Sequence, residues 1–457
     1  MPKIKARMPE QDPARRIKTF DEVNLGYAEQ QAVEESSRCL QCKNPKCVDA
    51  CPVKIDIPSF IKCLKEKKVD NALTIIKKSN CLPGVCGRVC PQEKQCESAC
   101  ILSAKDEPIN IGGLERFSAD NGNAEFEMQK KNGEKIAIVG SGPAGLSCAA
   151  TLAQMGHNVW IFEALHKLGG VMVYGIPEFR LPAAVIEKEI AEIKKLGVEI
   201  KTNLVIGKTF TVDELLKEHS AVFVGSGAGL PHFLQIQGEN LIGVFSANEF
   251  LTRVNLMKAH KKDYATPIKR AKKTVVIGGG NVAMDAARVA KRLGSDVSIV
   301  YRRSLEEMPA REEEIRHAKE EGIEFLMLTS PLRIFGKKKV EGIECIQMML
   351  SAVGADGRRT PEQIEGSEFT IECDQIIIAI GQSPNSLLTK EAGIKTGGKG
   401  NIIIDERFKT SKSMVFAGGD IISGSSTIIK AISDGKNAAI FIDKLLKEES
   451  RQTVKED

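Results

Sequence analysis

Ten of the thirteen cysteines in this 457-residue chain fall between Cys39 and Cys100. They come in short steps. The first run is Cys39-x2-Cys42-x4-Cys47-x3-Cys51-Pro52; after Cys81 comes Cys86-x3-Cys90-Pro91-x4-Cys96-x3-Cys100. Thiolates at such spacing converge on soft metals. A disulfide framework belongs to secreted chains, and the basic start MPKIKARMPEQDPARRIK lacks the apolar core of a secretory signal. Zinc and iron–sulfur sites both use C-x2-C. The two Cys-Pro endings favour iron–sulfur, because short loops deliver three thiolates and the proline then turns the chain away. Counting alone offers one tidy division: Cys39, Cys42, Cys47 and Cys51 on one cluster, Cys86, Cys90, Cys96 and Cys100 on the other. Cys63 falls inside a helical stretch and reads as a buried thiol.

A second chemistry is written in glycine. Gly140, Gly142 and Gly145 form G-x-G-x-x-G directly after the apolar run Ile136–Val139, with Pro143 and Ala144 opening a helix. Gly140 permits the turn, Gly142 lets backbone approach a pyrophosphate, and Gly145 lets helix pack on strand. The helix N-terminus offers free N–H groups to phosphate. Glu163 follows the next strand, placed to bond a ribose hydroxyl. The pattern returns after Thr274–Ile277 as Gly278, Gly280, Asn281, Val282 and Ala283, G-x-G-x-x-A. Where the first unit has Glu163, the second has Arg302 and Arg303. An acid there repels a 2′-phosphate, whereas arginine bonds it, so this unit should prefer NADP(H) to NAD. Arg311 is a possible third contact.

Other loops suit a flat ring cofactor. Gly169 and Gly170 precede Tyr174-Gly175-Ile176-Pro177 and Phe179-Arg180-Leu181-Pro182. Gly225-Ser226-Gly227 closes the strand Ala221–Val224. An apolar strand 374–380 runs into Gly381-Gln382-Ser383-Pro384-Asn385. Val415-Phe416-Ala417-Gly418-Gly419-Asp420 follows, with a helix from about Thr427 to Leu446. Gly419, Asp420 and Thr427 are expected to hold FAD together with the first glycine turn.

The elements needed to position these residues follow from the pattern. Residues 1–30 are polar and read as a surface wrap. Helices are expected at 28–38, 57–67, 69–78 and 183–196, and a β-rich flap at 324–373 with a polar loop near Gly354–Gly357. The fold class is α/β: two Rossmann-type nucleotide-binding domains, the NADP domain inserted in the FAD domain, preceded by an α-helical iron–sulfur domain. The expected boundaries are 1–130 for the head, 131–245 for the first part of the FAD domain, 246–378 for the NADP(H) domain and 379–457 for the second part of the FAD domain.

GRVCPQEKQCESAC, followed by INIGGLERFSAD, resembles the N-terminal iron–sulfur domain shared by three relatives. They are the glutamate synthase small subunit, dihydropyrimidine dehydrogenase, and the large subunit of NADH-dependent ferredoxin:NADP oxidoreductase. The resemblance implies two interleaved [4Fe–4S] clusters. Cys39, Cys42, Cys47 and Cys100 would hold one; Cys51, Cys90, Cys96 and Glu115 would hold the other, with Cys86 a bystander. The same resemblance implies that Arg180 and Gly381 also contact FAD. Taken without the resemblance, Glu115 reads as a surface helix residue. The Cys90-Pro91-x4-Cys96 spacing, Cys51-Pro-Val-Lys-Ile-Asp-Ile-Pro58 and the Asn24-Leu25-Gly26-Tyr27 lead-in look most like the ferredoxin:NADP oxidoreductase.

That resemblance implies an NADPH-linked flavoprotein subunit passing electrons to ferredoxin, with a smaller flavoprotein partner and electron bifurcation at the flavin. The alternatives are the NADPH-oxidising subunit of glutamate synthase, with a large amidotransferase partner, and an electron-transfer module of a larger redox complex. The cofactors carry the chemistry, so no catalytic side chain is named. No run reaches the roughly 18 apolar residues of a membrane helix, and the net charge of +5 is mild. A cytoplasmic protein is expected, with neither membrane nor nucleic acid as partner.

Overall fold

The structure, a computed structural model, describes residues 4–131, 133–354 and 357–456. An N-terminal strap comes first and carries α1 (Pro13–Arg16), capped by the Asp12 carboxylate. The head follows, with α2 (Glu29–Ser36), α3 (Lys46–Asp49), α4 (Ile57–Lys65), α5 (Val69–Lys77), α6 (Pro83–Val89) and α7 (Ile111–Asn121). Apolar residues at helical spacing give these helices one buried face. Ile57, Phe60, Ile61 and Leu64 of α4 share a core with Ala72 and Ile76 of α5. Asp56 and Asn110 cap α4 and α7 by accepting from Ser59 and Gly113 N–H.

The strap is more than a polar wrap. Val23 and Tyr27 are buried, and Arg16 is almost wholly enclosed. The Arg16 guanidinium donates to Glu321 at 2.9 Å, to Glu320 at 2.7 Å and to the His317 carbonyl at 3.3 Å. Glu22 pairs with Arg88 and Arg116 of the head, and Val23 N–H donates to Phe179 O. The strap thus joins the head to both nucleotide-binding units.

The first unit contains β1 (Lys135–Val139), α8 (Pro143–Gln154), β2 (Asn158–Phe162), α9 (Val171–Tyr174), α10 (Ala183–Lys195), β3 (Glu199–Lys201), α11 (Val212–Glu218) and β4 (Ala221–Val224). β5 (Leu230–Pro231) leads on to the second unit. That unit holds β6 (Val244–Ser246), α12 (Ala247–Asn255), β7 (Lys273–Ile277), α13 (Asn281–Arg292), β8 (Asp296–Tyr301), α14 (Glu312–Glu320), β9 (Glu324–Met327), β10 (Thr329–Phe335), β11 (Gly342–Val353), β12 (Arg359–Glu372) and β13 (Gln375–Ile378). The chain returns through β14 (Gln382–Ser383), α15 (Leu387–Glu391), β15 (Val415–Ala417), α16 (Asp420–Ser423) and α17 (Ile428–Glu456).

The first sheet runs β15-β4-β1-β2-β3 and the second β6-β13-β7-β8-β9, both parallel. Parallel strands are buried on both faces, which is why Ala221–Val224 and Gln375–Ile378 read as unbroken runs. β15 closes the first sheet from the far end of the chain, with the second sheet lying between in sequence. β14 pairs with β5 antiparallel at that crossing.

The expected flap needs correcting. Glu324–Met327 is not part of it but the edge of the second parallel sheet, paired with β8. Phe325 and Met327 pack against that unit's core, which draws the strand there. The flap is the antiparallel set β10-β11-β12. Ala355 and Asp356, at the tip of the predicted polar loop, lie outside the described residues. Among the described residues no helix is long and apolar enough to cross a membrane.

Candidate functional site

The first glycine turn has the geometry its spacing demands. Gly140 adopts φ +96°, and its N–H donates to Phe162 O at 2.9 Å. A Cβ on Gly145 would lie 1.9 Å from Gly140 O, so only glycine lets α8 sit on the turn. A Cβ on Gly142 would meet nothing within 4 Å, because this backbone faces open space. That space is a cavity of about 440 Å³ between the two units.

Gly140, Gly142, Pro143, Ala144, Glu163, Gly170, Arg180, Asn281, Val282, Asp420 and Thr427 all reach its wall. The Glu163 carboxylate is buried and already engaged: Oε2 accepts from Ser141 N–H at 2.8 Å and Ser141 Oγ–H at 2.6 Å, and Oε1 from Leu165 N–H at 2.8 Å. These bonds fix its orientation and leave lone pairs for a ribose hydroxyl. Burial, helped by the Asp434 charge, pushes the Asp420 carboxyl up to about 6 against a hydrogen bond from Ser426. Thr427 Oγ accepts from Lys430 N–H at the start of α17. Gly145, Gly169, Gly278, Gly280, Gly381 and Gly419 are not among the residues that line this cavity.

The second turn repeats the first. Gly278, at φ +143°, donates to Val300 O at 3.0 Å, and Gly280 faces open space. The arginines separate. Arg302 is exposed at the end of β8. Arg303 is buried, and its Nε–H donates to Arg359 O in the flap at 2.8 Å. Arg311 is not a third phosphate contact. It is buried, donating to Arg88 O at 2.9 Å and Gln92 Oε1 at 3.1 Å, and so ties the second unit to the head. Arg180 touches the cavity but spends its charge on Asp285 at 2.6 Å and Glu314 at 2.8 Å. It therefore joins the first unit to the second.

In the head, the cysteines gather as two groups, and sequence order does not divide them. Cys39, Cys42, Cys47 and Cys100 line a cavity of about 430 Å³ that opens near exposed Leu40 and Ile101. Cys51, Cys90, Cys96 and Glu115 lie deeper. Burial raises the Cys51 and Cys96 thiols, and each feels the charges of Cys90 and Glu115. The division by counting, with Cys51 among the first three, is not what the fold brings together. Cys86 belongs to the deep neighbourhood too, packed against Cys90.

Glu115 is not a surface residue: α7 turns it into the core. Burial pushes its carboxyl up to about 8, with one hydrogen bond, from Asn80, acting the other way. Among the described residues no basic side chain pairs with it. A buried carboxyl among three buried thiols is a donor set that fits an iron cluster, whose positive charge would ionise all four. Cys63, expected to be buried, is half-exposed on α4.

The deep group also abuts the nucleotide cavity. Val89 and Pro91, the two neighbours of Cys90, line its wall. Glu189 of α10 accepts from Gly84 and Val85 N–H, capping the helix that leads into Cys90. Sequence reasoning missed Glu189, Asn80, Asp285 and the Val89–Pro91 contact. Each depends on a partner far away in the chain, and no local spacing signals it.

Residues 16–127 match the family model described as dihydropyrimidine dehydrogenase domain II, 4Fe-4S cluster. Residues 134–435 match the pyridine nucleotide-disulphide oxidoreductase model. The chain is 36% identical over 444 residues to the glutamate synthase [NADPH] small chain of Halomonas elongata, covering 94% of each. The chain belongs to the family of glutamate synthase small chains and related NADPH oxidoreductase subunits. Another member, the NADP(+)-dependent formate dehydrogenase subunit beta of Moorella thermoacetica, is 37% identical over 442 residues, covering 90% of this chain and 61% of that longer one. The fold of the body is also that of Mycobacterium tuberculosis FprA in complex with NADPH (TM-score 0.60, 21% identity, 70% of this chain and 86% of that chain). Family membership makes this chain an NADPH-dependent FAD and iron–sulfur oxidoreductase subunit, and the head, α2–α7, its iron–sulfur domain.

Proposed function

We propose that the chain takes electrons from NADPH and passes them through FAD and two [4Fe–4S] clusters to a carrier at the head. The observation that carries this is the placement of the two thiol groups: one against the nucleotide cavity through Val89 and Pro91, the other opening to the surface. Cys51, Cys90, Cys96 and Glu115 would hold the inner cluster, and Cys39, Cys42, Cys47 and Cys100 the outer one. FAD would lie along the first glycine turn, with Glu163 at its ribose and Asp420 and the start of α17 at its far side. Bound there, FAD supplies the exchange between two-electron hydride chemistry and one-electron transfer. The protein's part is to hold the nucleotides face to face and to keep the inner thiols dry. Arg180, paired across to Asp285 and Glu314, fixes the two units against each other beside the cavity.

Arg302 is the residue on which preference for NADPH rests, since Arg303 is committed to the flap. A charge-assisted hydrogen bond is worth about 1.5–3 kcal/mol. Arg302→Ala is therefore expected to raise KM for NADPH by ~10-fold to ~100-fold, with KM for NADH unchanged. Steady-state kinetics with both nucleotides measures this; equal loss for the two would assign Arg302 no part in discrimination.

The finer reading is the large subunit of a bifurcating ferredoxin:NADP oxidoreductase, with a smaller flavoprotein partner. Its support is the exit surface: Leu40 and Ile101 stand exposed by 49% and 62%, with exposed Lys43 and Lys46 beside them. Such an apolar centre with basic neighbours suits an acidic ferredoxin. A second reading, the small chain of glutamate synthase, is favoured by the match along 94% of both chains. Anaerobic purification of the native protein with its partners separates them. A small flavoprotein partner, with NADPH oxidation requiring ferredoxin and NAD together, supports the first. A large amidotransferase partner and glutamate formed from glutamine and 2-oxoglutarate replace it with the second.

A further inference from the structure

Asn80 is fully buried in the link between α5 and α6, and both ends of its amide are committed. Its Oδ1 accepts from Leu82 N–H at 3.0 Å and lies 3.8 Å from Cys86 Sγ. Its Nδ2 donates to Glu115 Oε1 at 2.8 Å. The backbone N–H of Leu82 can only donate, so it requires the amide oxygen on its side and thereby turns the NH2 group toward Glu115. The backbone of Asn80 is held as well, through its N–H to Ile76 O at the end of α5. One residue thus ties the end of α5, the entry to α6 and the middle of α7 around the deep thiol group. None of this is needed to fill space: a leucine would fill the same volume and leave Glu115 Oε1 without its donor.

We propose that Asn80 is the positioning residue of the inner iron–sulfur site: by occupying one carboxylate oxygen of Glu115, it presents the other as a single-oxygen ligand to iron. This rests on Glu115 being the non-thiolate ligand. The hydrogen bond withdraws electron density from the carboxylate, so it raises the potential of the cluster that Glu115 holds. The outer thiol group, reached by no contact of Asn80, is unaffected.

The test is a redox titration of the purified holoprotein followed by electron paramagnetic resonance, with iron, sulfide and FAD contents measured alongside. Asn80→Asp keeps an acceptor for Leu82 and removes the donor. The inner cluster's midpoint is expected to fall and its spectrum to change, while the outer cluster and FAD content stay as in the parent protein. Asn80→Ser, whose hydroxyl is too short to span to Glu115, shifts the midpoint in the same direction; it decides the matter if the aspartate variant does not fold. Parent-like inner spectrum and potential in the folded variants would overturn the proposal. Glu115→Ala, measured in parallel, tells apart two failures. If it alters the inner cluster while the Asn80 variants do not, only the role of Asn80 is wrong. If it too leaves the cluster unchanged, Glu115 is not a ligand and both ideas fall.

Discussion

In Glu115→Ala protein, FAD is expected to stay bound while NADPH-driven reduction of a protein carrier falls by more than ~100-fold, beyond the usual cost of losing an outer-shell partner of a metal site. The variant would leave Cys51, Cys90 and Cys96 without the fourth donor of the inner group. The proposed outer group shares no ligand with the inner one, so a cluster held there should be retained. Reduction of a small artificial acceptor directly from the flavin should persist, since the cavity wall is intact. Glu115→Cys, which supplies a fourth thiolate, and Glu115→Gln should restore cluster content with a shifted potential. Iron and sulfide analysis with redox titration reads all three. An alanine variant with a parent-like inner cluster would refute the ligand assignment.

The second large effect is expected at Arg16. It is enclosed between Glu10, Glu320 and Glu321, and truncating one partner of a buried ion pair costs about 3–5 kcal/mol. The lower end applies, because Arg288 and Arg292 still bind Glu321 at 2.8 and 2.6 Å. Arg16→Ala should thus lose about 3 kcal/mol of stability in denaturant unfolding. Arg16→Lys should lose less, keeping the charge but not the fork. The same cluster predicts an acid transition. Burial opposes the charge on Glu321, yet hydrogen bonds from Arg292 and the charge of Arg288 win and hold its carboxyl down to about 2. Glu10, drawn by His317 and Arg316 against its own burial, is likewise held to about 2. Their folded values lie below the unfolded ones near 4.5. Their contribution is therefore complete above pH about 4.5 and is lost as pH falls toward 2. Unfolding free energies across that range check this; a flat profile in the parent protein would remove these carboxylates from the account.

The glycine turns were legible because their physics is local. A turn and a helix contact fall within six residues: Gly140 makes the turn, Gly145 the helix contact, and Gly142 leaves its backbone open to the cavity. The cysteine groups were half legible. Spacing marks metal-binding thiols, but the division by counting differs from the grouping in the fold, where Cys100 lines one cavity with Cys39 and Cys47. Glu115 came only from resemblance; nothing in its own stretch marks it as buried. The arginines defeated local reasoning for one reason. Arg180 finds its acid 105 positions away, Arg311 its glutamine 219 away and Arg16 its glutamate 305 away. Arginine has long reach and takes whatever carboxylate or carbonyl the tertiary fold supplies. Its presence in the sequence therefore constrained the site less than the glycines did.

The first parallel sheet is interrupted by the second and closed only by β15, after which α17 lies on α8 so tightly that a Cβ on Gly435 would stand 2.1 Å from Ala144 O. This order has a consequence for synthesis. Chains emerge from the ribosome N-terminus first, and units fold as they complete. The second sheet, contiguous from Val244 to Ile378, has all its strands as soon as that stretch is out. The first sheet waits, with β1 and β4 already made, for β15 and the helix that covers α8. A nascent chain stalled before Val415 would thus carry a second unit able to fold and a first unit that cannot close, exposing β4 as an unpaired edge. The half of the body begun first is the half finished last.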